Sequence, residues 1–235
     1  EVYGVTEDEV FVGNGADEVL SFVLMSFFRR GMKIYFPDIT YGFYRTYAKT
    51  YGLDMEEIPV KDDFSIDIND YMNLEGDIIF ANPNNPTGYL ADSTFMKQII
   101  GHCKEKHIYV VADECFMGFC EKNYSVLSLL CDYDNLIVVR AFTKLFAIPG
   151  VRLGYMLSKN DTIRQKVQRN LPEWNVSVLA QMAGEACIRE SEYIKETASY
   201  VSRQRRLLSD GLKKLGFKVY KSDADFILFY SKLPL

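Results

Sequence analysis

Apolar and polar positions along the chain fall into two alternating patterns. Ile108–Ala112 (IYVVA) and Leu136–Val139 (LIVV) are short, nearly continuous apolar runs. Strands covered by helices on both faces, as in a parallel sheet, have this composition. Further strand-like segments lie at Val10–Gly13, Lys33–Phe36, Asp54–Ile58, Asp77–Ala81 and Tyr155–Leu157. Between them run stretches with helical spacing at Ala16–Arg30, Tyr41–Tyr51, Ser93–Lys106, Thr162–Asn170 and Ser177–Leu215, the last long enough to expect a break. Strands alternating with helices predict an α/β layered fold. Near Leu215 the pattern changes to two short strands, Phe217–Tyr220 and Asp225–Tyr230, split by the turn-like Lys221–Ala224 (KSDA). The change divides the chain into a large unit over residues 1–176 and, over residues 177–235, a long helix with the beginning of a small α+β domain.

Composition narrows the function classes. The 235 residues are 48% apolar and 25% charged, which is ordinary for a globular protein. A chain of this length buries roughly 70% of its unfolded surface. A net charge of −5 argues against a nucleic-acid partner. The most apolar run, Val19 to Phe28, is ten residues long and is followed by Arg29 and Arg30. It is too short to cross a membrane as a helix. The first residues (EVYGVTEDEV) carry no basic region or small-residue cleavage site, so no signal peptide is expected. The five cysteines, Cys103, Cys115, Cys120, Cys131 and Cys187, are odd in number and form no CxxC pair. That predicts reduced thiols in a cytoplasmic protein, with neither a disulfide framework nor a zinc site. His102 and His107 share one polar helix end (GHCKEKH) and are expected at the surface, which leaves no histidine for catalysis or metal binding.

In an open α/β sheet, ligands sit beyond the carboxyl ends of the strands. Five polar motifs follow predicted strands. In Gly13-Asn14-Gly15-Ala16-Asp17-Glu18 two glycines open a helix whose first N–H groups lack partners and suit an anion. A plain strand–turn–helix junction accounts for the same residues. In Asp38-Ile39-Thr40-Tyr41-Gly42, Tyr41 at a helix entrance could lie on a planar ligand or simply pack. Asn82-Pro83-Asn84-Asn85-Pro86-Thr87-Gly88 is a stiff turn able to hold an amide in place. In Asp113-Glu114-Cys115-Phe116 a carboxylate ends a buried strand, a costly arrangement that calls for a positive partner. Thr143-Lys144 followed by Pro149-Gly150-Val151-Arg152-Leu153-Gly154 offers a hydroxyl, an amine and a guanidinium. A lysine in a closed pocket can act as a nucleophile for Schiff-base chemistry, and Thr143 and Arg152 suit a phosphate. One ligand fits all five: a phosphorylated, protonated pyridine bearing an aldehyde, pyridoxal phosphate.

NPNNPTG, the Asp-Glu pair after a strand and TK…PG.RLGY, in this order and spacing, resemble the fold-type I pyridoxal-phosphate enzymes. Among them the chain is similar to the class I and II aminotransferases, in the histidinol-phosphate aminotransferase branch. The resemblance implies a three-layer αβα large domain with a mostly parallel central sheet. It implies that Lys144 forms the Schiff base and that Asp113 pairs with the pyridine nitrogen and keeps the ring an electron sink. Asn85 then meets the ring 3-oxygen, Tyr41 stacks on the ring, and Gly15, Ala16 and Asp17, with Thr143 and Arg152, form the phosphate cup. It further implies a small-molecule amino substrate and a homodimer.

The chain departs from that pattern at Phe116, where these aminotransferases usually carry a tyrosine whose hydroxyl reaches the ring 3-oxygen. Phe116, Ala147-Ile148-Pro149-Gly150 and Trp174-Asn175-Val176-Ser177 resemble a sister group, the threonine-phosphate decarboxylases of cobalamin synthesis. Ala141, three residues before the lysine, also lacks a hydroxyl often present there. Compared with the family, the chain is expected to lack segments at both ends, which carry residues that read the substrate. Three expectations follow: an aminotransferase, a threonine-phosphate decarboxylase-like enzyme, and a cofactor-binding fragment without turnover.

Overall fold

The computed structural model describes residues 4–27 and 31–232. Phe28, Arg29 and Arg30, the predicted end of the first helix, lie outside the described residues, as do the first and last three residues of the chain. In chain order the elements are β1 (Val10–Gly13), α1 (Ala16–Phe27), β2 (Lys33–Pro37), α2 (Phe43–Tyr51), β3 (Asp54–Ile58), β4 (Asp77–Ala81), α3 (Ser93–Glu105), β5 (Val110–Asp113) and β6 (Leu136–Ala141). They continue with α4 (Phe142–Leu145), β7 (Gly154–Leu157), α5 (Asp161–Gln168), α6 (Val178–Arg189), α7 (Ser191–Lys214), β8 (Lys218–Val219) and β9 (Phe229–Tyr230).

A seven-stranded sheet runs β1-β7-β6-β5-β4-β2-β3. The strands from β3 to β6 pair in parallel, while β7 is antiparallel to both β6 and β1. Every residue of β4 and β5 is buried. Alternate side chains point to opposite faces. Ile79, Val111, Ile137 and Val139 pack into one core with Val19, Leu20, Val23 and Leu24 of α1 and Ile163 and Val167 of α5. Ile78, Phe80, Val110, Ala112, Leu136 and Val138 pack into the other, with Met96, Ile99, Ile100 and Cys103 of α3. These two cores, one on each sheet face, make the three-layer αβα arrangement. The β3 edge (DMEEI) is mostly exposed and acidic, which discourages further strand pairing.

Helix starts follow side-chain capping: Asp92, Asn160 and Ser177 each accept N–H bonds at the first turns of α3, α5 and α6. The long helical stretch is broken as expected, at Glu190 between α6 and α7, where ψ is 58°. The predicted strands at 217–220 and 225–230 shrink to the two-residue pair β8 and β9. Residues 223–226 bend instead, because they dock on another loop: the Asp223 N–H donates to the Gly88 carbonyl at 2.9 Å and Arg205 of α7 donates to the Ala224 carbonyl at 2.7 Å. His107 is exposed, but His102 is half-buried and its Nε2 lies 2.6 Å from the Met72 carbonyl.

Asp77, at the start of β4, is buried; Oδ1 accepts the Tyr109 N–H at 2.7 Å and Oδ2 has no partner. Burial pushes its carboxyl up to about 6. The folded protein therefore holds this proton more tightly than the unfolded chain, whose carboxyl titrates near 3.9. Stability falls as pH rises between those values and stays reduced above them. The stability of Asp77→Asn relative to the parent should improve by about 2 kcal/mol between pH 4 and pH 8 in urea unfolding. A difference independent of pH would contradict this origin.

Candidate active site at the carboxyl ends of the parallel strands

The turns after β1, β2, β4, β5 and β6 converge on one cleft of about 120 Å³. Its walls include Ala16, Asp17, Tyr41, Asn85, Asp113, Phe116, Thr143, Lys144 and Arg152. Gly15 lies directly behind Arg152. All ten residues singled out in the sequence are thus brought together.

At one end, β1 turns into α1 with Gly15 at φ +87°, a conformation that disfavours side chains. A Cβ on Gly15 would stand 2.7 Å from a guanidinium nitrogen of Arg152. A Cβ on Gly154, across the sheet, would stand 2.4 Å from the Gly15 carbonyl carbon and 2.5 Å from the Ala16 nitrogen. The absence of two side chains therefore lets the α1 start, the β7 start and Arg152 approach closely. The first-turn N–H groups of α1 have no partner four residues back and suit an anion there. Arg152, itself at φ 55°, pairs with the Asp17 carboxylate at 3.5 Å, and Tyr41 donates to the other Asp17 oxygen at 2.8 Å. Thr143 is buried beside this end.

The stiff loop after β4 sorts its three asparagines. Asn82 exchanges bonds with the Ala91 backbone, and Asn84 bonds Thr40, Thr87 and the Ile39 carbonyl. Asn85 has no side-chain hydrogen bond among the described residues and faces the cleft. Two amides hold the loop and the third is available to a ligand.

Asp113 closes the floor, 7% exposed, at the end of β5. No cation among the described residues pairs with it. Tyr44 of α2 donates to Oδ2 at 2.8 Å and the Cys115 N–H donates to Oδ1 at 3.1 Å. Burial pushes the Asp113 carboxyl above its ordinary value, and these bonds pull it partly back. The ion pair falls to its neighbour instead. Glu114, fully buried, binds Arg140 at 2.6 Å and also accepts from Ser125 and the Val126 N–H.

Lys144 sits on α4, a single helical turn that the sequence pattern did not announce. Its Nζ lies 3.4 Å from the Thr143 hydroxyl and 6.0 Å from the Phe116 ring centre. The closed pocket expected around it is not formed by the described residues: Lys144 is exposed at the cleft mouth. Phe116 meets Phe226 edge-on at 5.1 Å, so the docked C-terminal bend contributes to that mouth. Sequence reasoning passed over Tyr44, Cys115 and Phe226. Tyr44 was discoverable, three residues after Tyr41 in the first turn of α2; Phe226 carried no such signal.

The family described as "Aminotransferase class I and II" matches residues 2–234. The chain is 38% identical over 234 residues to a histidinol-phosphate aminotransferase of Brachyspira hyodysenteriae, covering 99% of this chain and 65% of that protein. It is 35% identical over 229 residues to one from Clostridium acetobutylicum, covering 97% of this chain and 64% of that protein. The chain thus spans a little under two thirds of the length of these relatives. The solved structure of the histidinol-phosphate aminotransferase from Clostridium acetobutylicum superposes with a TM-score of 0.90 at 28% identity, over 97% of this chain and 69% of that one.

The Gly15–Gly154 approach generates a direct test. The atoms that an added Cβ would strike are backbone and cannot swing aside. Gly154→Ala should cost about 2–4 kcal/mol in urea unfolding. A loss below ~0.5 kcal/mol would show that the two segments separate freely.

Proposed function

This chain is a member of the class I and II aminotransferases, and from that premise we propose that it is a pyridoxal-phosphate enzyme that transfers the amino group of a phosphorylated amino substrate. One observation carries the proposal: an amine, Lys144, and a buried carboxylate without a cation, Asp113, face the same cleft. A protonated pyridine nitrogen supplies the cation that Asp113 lacks. The unengaged Asn85 amide suits the ring 3-oxygen, and the close approach at Gly15 and Gly154 leaves bare backbone N–H groups for a phosphate.

On this reading the Lys144 amine would hold the cofactor and would also move the proton at the substrate Cα. Asp113 holds the proton on the ring nitrogen. Tyr41 would stack on the ring with Phe116 near it, and Gly15, Ala16, Asp17, Thr143 and Arg152 would hold the phosphate. Arg152, whose guanidinium rests on Asp17, would supply charge to hold that phosphate. Bound there, the cofactor supplies an electron sink for charge that develops at the substrate Cα.

The same proposal assigns residues 1–176 to the cofactor-binding domain and residues 177–235 to the long helix and the start of a small domain. Five free cysteines support a cytoplasmic location. Among the described residues no helix is long and apolar enough to cross a membrane. The exposed Val178, Leu179 and Met182 on α6, beside the exposed Trp174, support a homodimer.

A second reading rests on Phe116, which has no hydroxyl to offer the ring 3-oxygen. It makes the chain a threonine-phosphate decarboxylase-like enzyme. Incubation with pyridoxal phosphate should give the protein a visible absorption band that is absent from Lys144→Ala. Turnover of histidinol phosphate that requires a 2-oxo acid supports transamination. Carbon dioxide from threonine phosphate without a 2-oxo acid supports the second reading. A colourless protein would overturn both, and colour without turnover would mark a cofactor binder.

A further inference from the structure

We infer that Tyr44 is a positioning residue for Asp113: its hydroxyl holds the carboxylate ionised and aimed at the cofactor's ring nitrogen. The inference rests on the pyridoxal-phosphate reading above.

Asp113 is fixed at three points. Its carbonyl accepts the Asn82 N–H at 2.8 Å, Oδ1 accepts the Cys115 N–H at 3.1 Å, and Oδ2 accepts the Tyr44 hydroxyl at 2.8 Å. The Cys115 thiol also donates to this carboxylate, so every donor that holds it is neutral and no side-chain cation among the described residues pairs with it. Neutral donors stabilise the anion without cancelling its charge, so its pull on a ring N–H stays large. A lysine or arginine in their place would satisfy the carboxylate and weaken that pull.

Tyr44 has little freedom to do anything else. It is 1% exposed, and its ring is held between Phe36 at 6.0 Å and Tyr41 at 5.6 Å. Neither neighbour can replace its hydroxyl: Phe36 has none, and Tyr41 spends its own on Asp17. The other charged groups around the floor do not compensate. The Asp17 carboxylate of α1 repels the Asp113 charge, and the Lys144 ammonium of α4 acts on the Cys115 thiol. Removing the Tyr44 oxygen leaves the buried anion with only the Cys115 N–H and thiol as donors, which favours uptake of a proton and loss of its ability to accept one from the ring nitrogen.

The test compares two cofactors on one protein: pyridoxal phosphate, and its analogue in which the ring nitrogen is replaced by CH. Tyr44→Phe keeps the ring that packs and deletes only the oxygen. It should lower the affinity for pyridoxal phosphate about tenfold and leave the affinity for the analogue unchanged within about twofold. An equal loss with both cofactors would mean that Tyr44 only supports packing, and would overturn the inference. In the unaltered protein, the Tyr44 hydroxyl proton should give an exchange-protected NMR signal that shifts on adding pyridoxal phosphate and not on adding the analogue. This second measurement does not depend on how well the variant folds; a signal unmoved by pyridoxal phosphate would also overturn the inference. If the unaltered protein binds neither cofactor, the proposed function itself fails, a result distinct from either outcome with Tyr44→Phe.

Discussion

Burying a carboxylate costs several kcal/mol unless something compensates it. At the carboxyl end of β5 that cost is met by neutral donors, the Tyr44 hydroxyl and the Cys115 N–H and thiol, and by no cation among the described residues. Much of the surrounding architecture bears on this residue. The parallel strands β4, β5 and β6 carry Asp113 to the sheet end and surround it with apolar layers. Glu114, one residue on, shows the alternative. It takes Arg140, Ser125 and a backbone N–H, and it serves the fold with no role in the cleft. Two adjacent carboxylates are thus separated by their partners into a satisfied one and a receptive one.

Legibility in the sequence follows how local the determining physics is. The buried strands were readable because apolar runs of strand length have few other uses. The Asn82–Gly88 loop was readable as a rigid turn, yet which asparagine stays available depended on Ala91 just past the loop and on Thr40 and Ile39, distant along the chain. The antiparallel direction of β7 left no mark in Gly154–Leu157 itself, since its residues suit either pairing. The one-turn helix carrying Lys144 is too short for a period to show. The positive partner expected at Asp113 is supplied by no side chain among the described residues, and which neutral donors hold the carboxylate instead depended on the fold. Tyr44 reaches Asp113 across 69 positions of chain.

The last segment matters more to the cleft than its short strands suggest. Residues 223–226 pack on Gly88 of the stiff loop and on Arg205 of α7, and Phe226 closes against Phe116. The half-buried Asp225 lies within electrostatic reach of Lys144 and Arg205, and burial pushes its carboxyl up. Part of the mouth near the exposed Lys144 is therefore built from this segment.

The central claim is that Asp113 is a buried carboxylate that receives its cation from a ligand. The most direct measurement is the pH titration of the Asp113 carboxyl carbon by NMR, with and without pyridoxal phosphate. Without it, the midpoint should lie above the ordinary aspartate value, because burial disfavours the charge. With it, the carboxylate should stay ionised to distinctly lower pH, because the protonated ring nitrogen pairs with it. A midpoint that pyridoxal phosphate leaves unmoved would contradict the account.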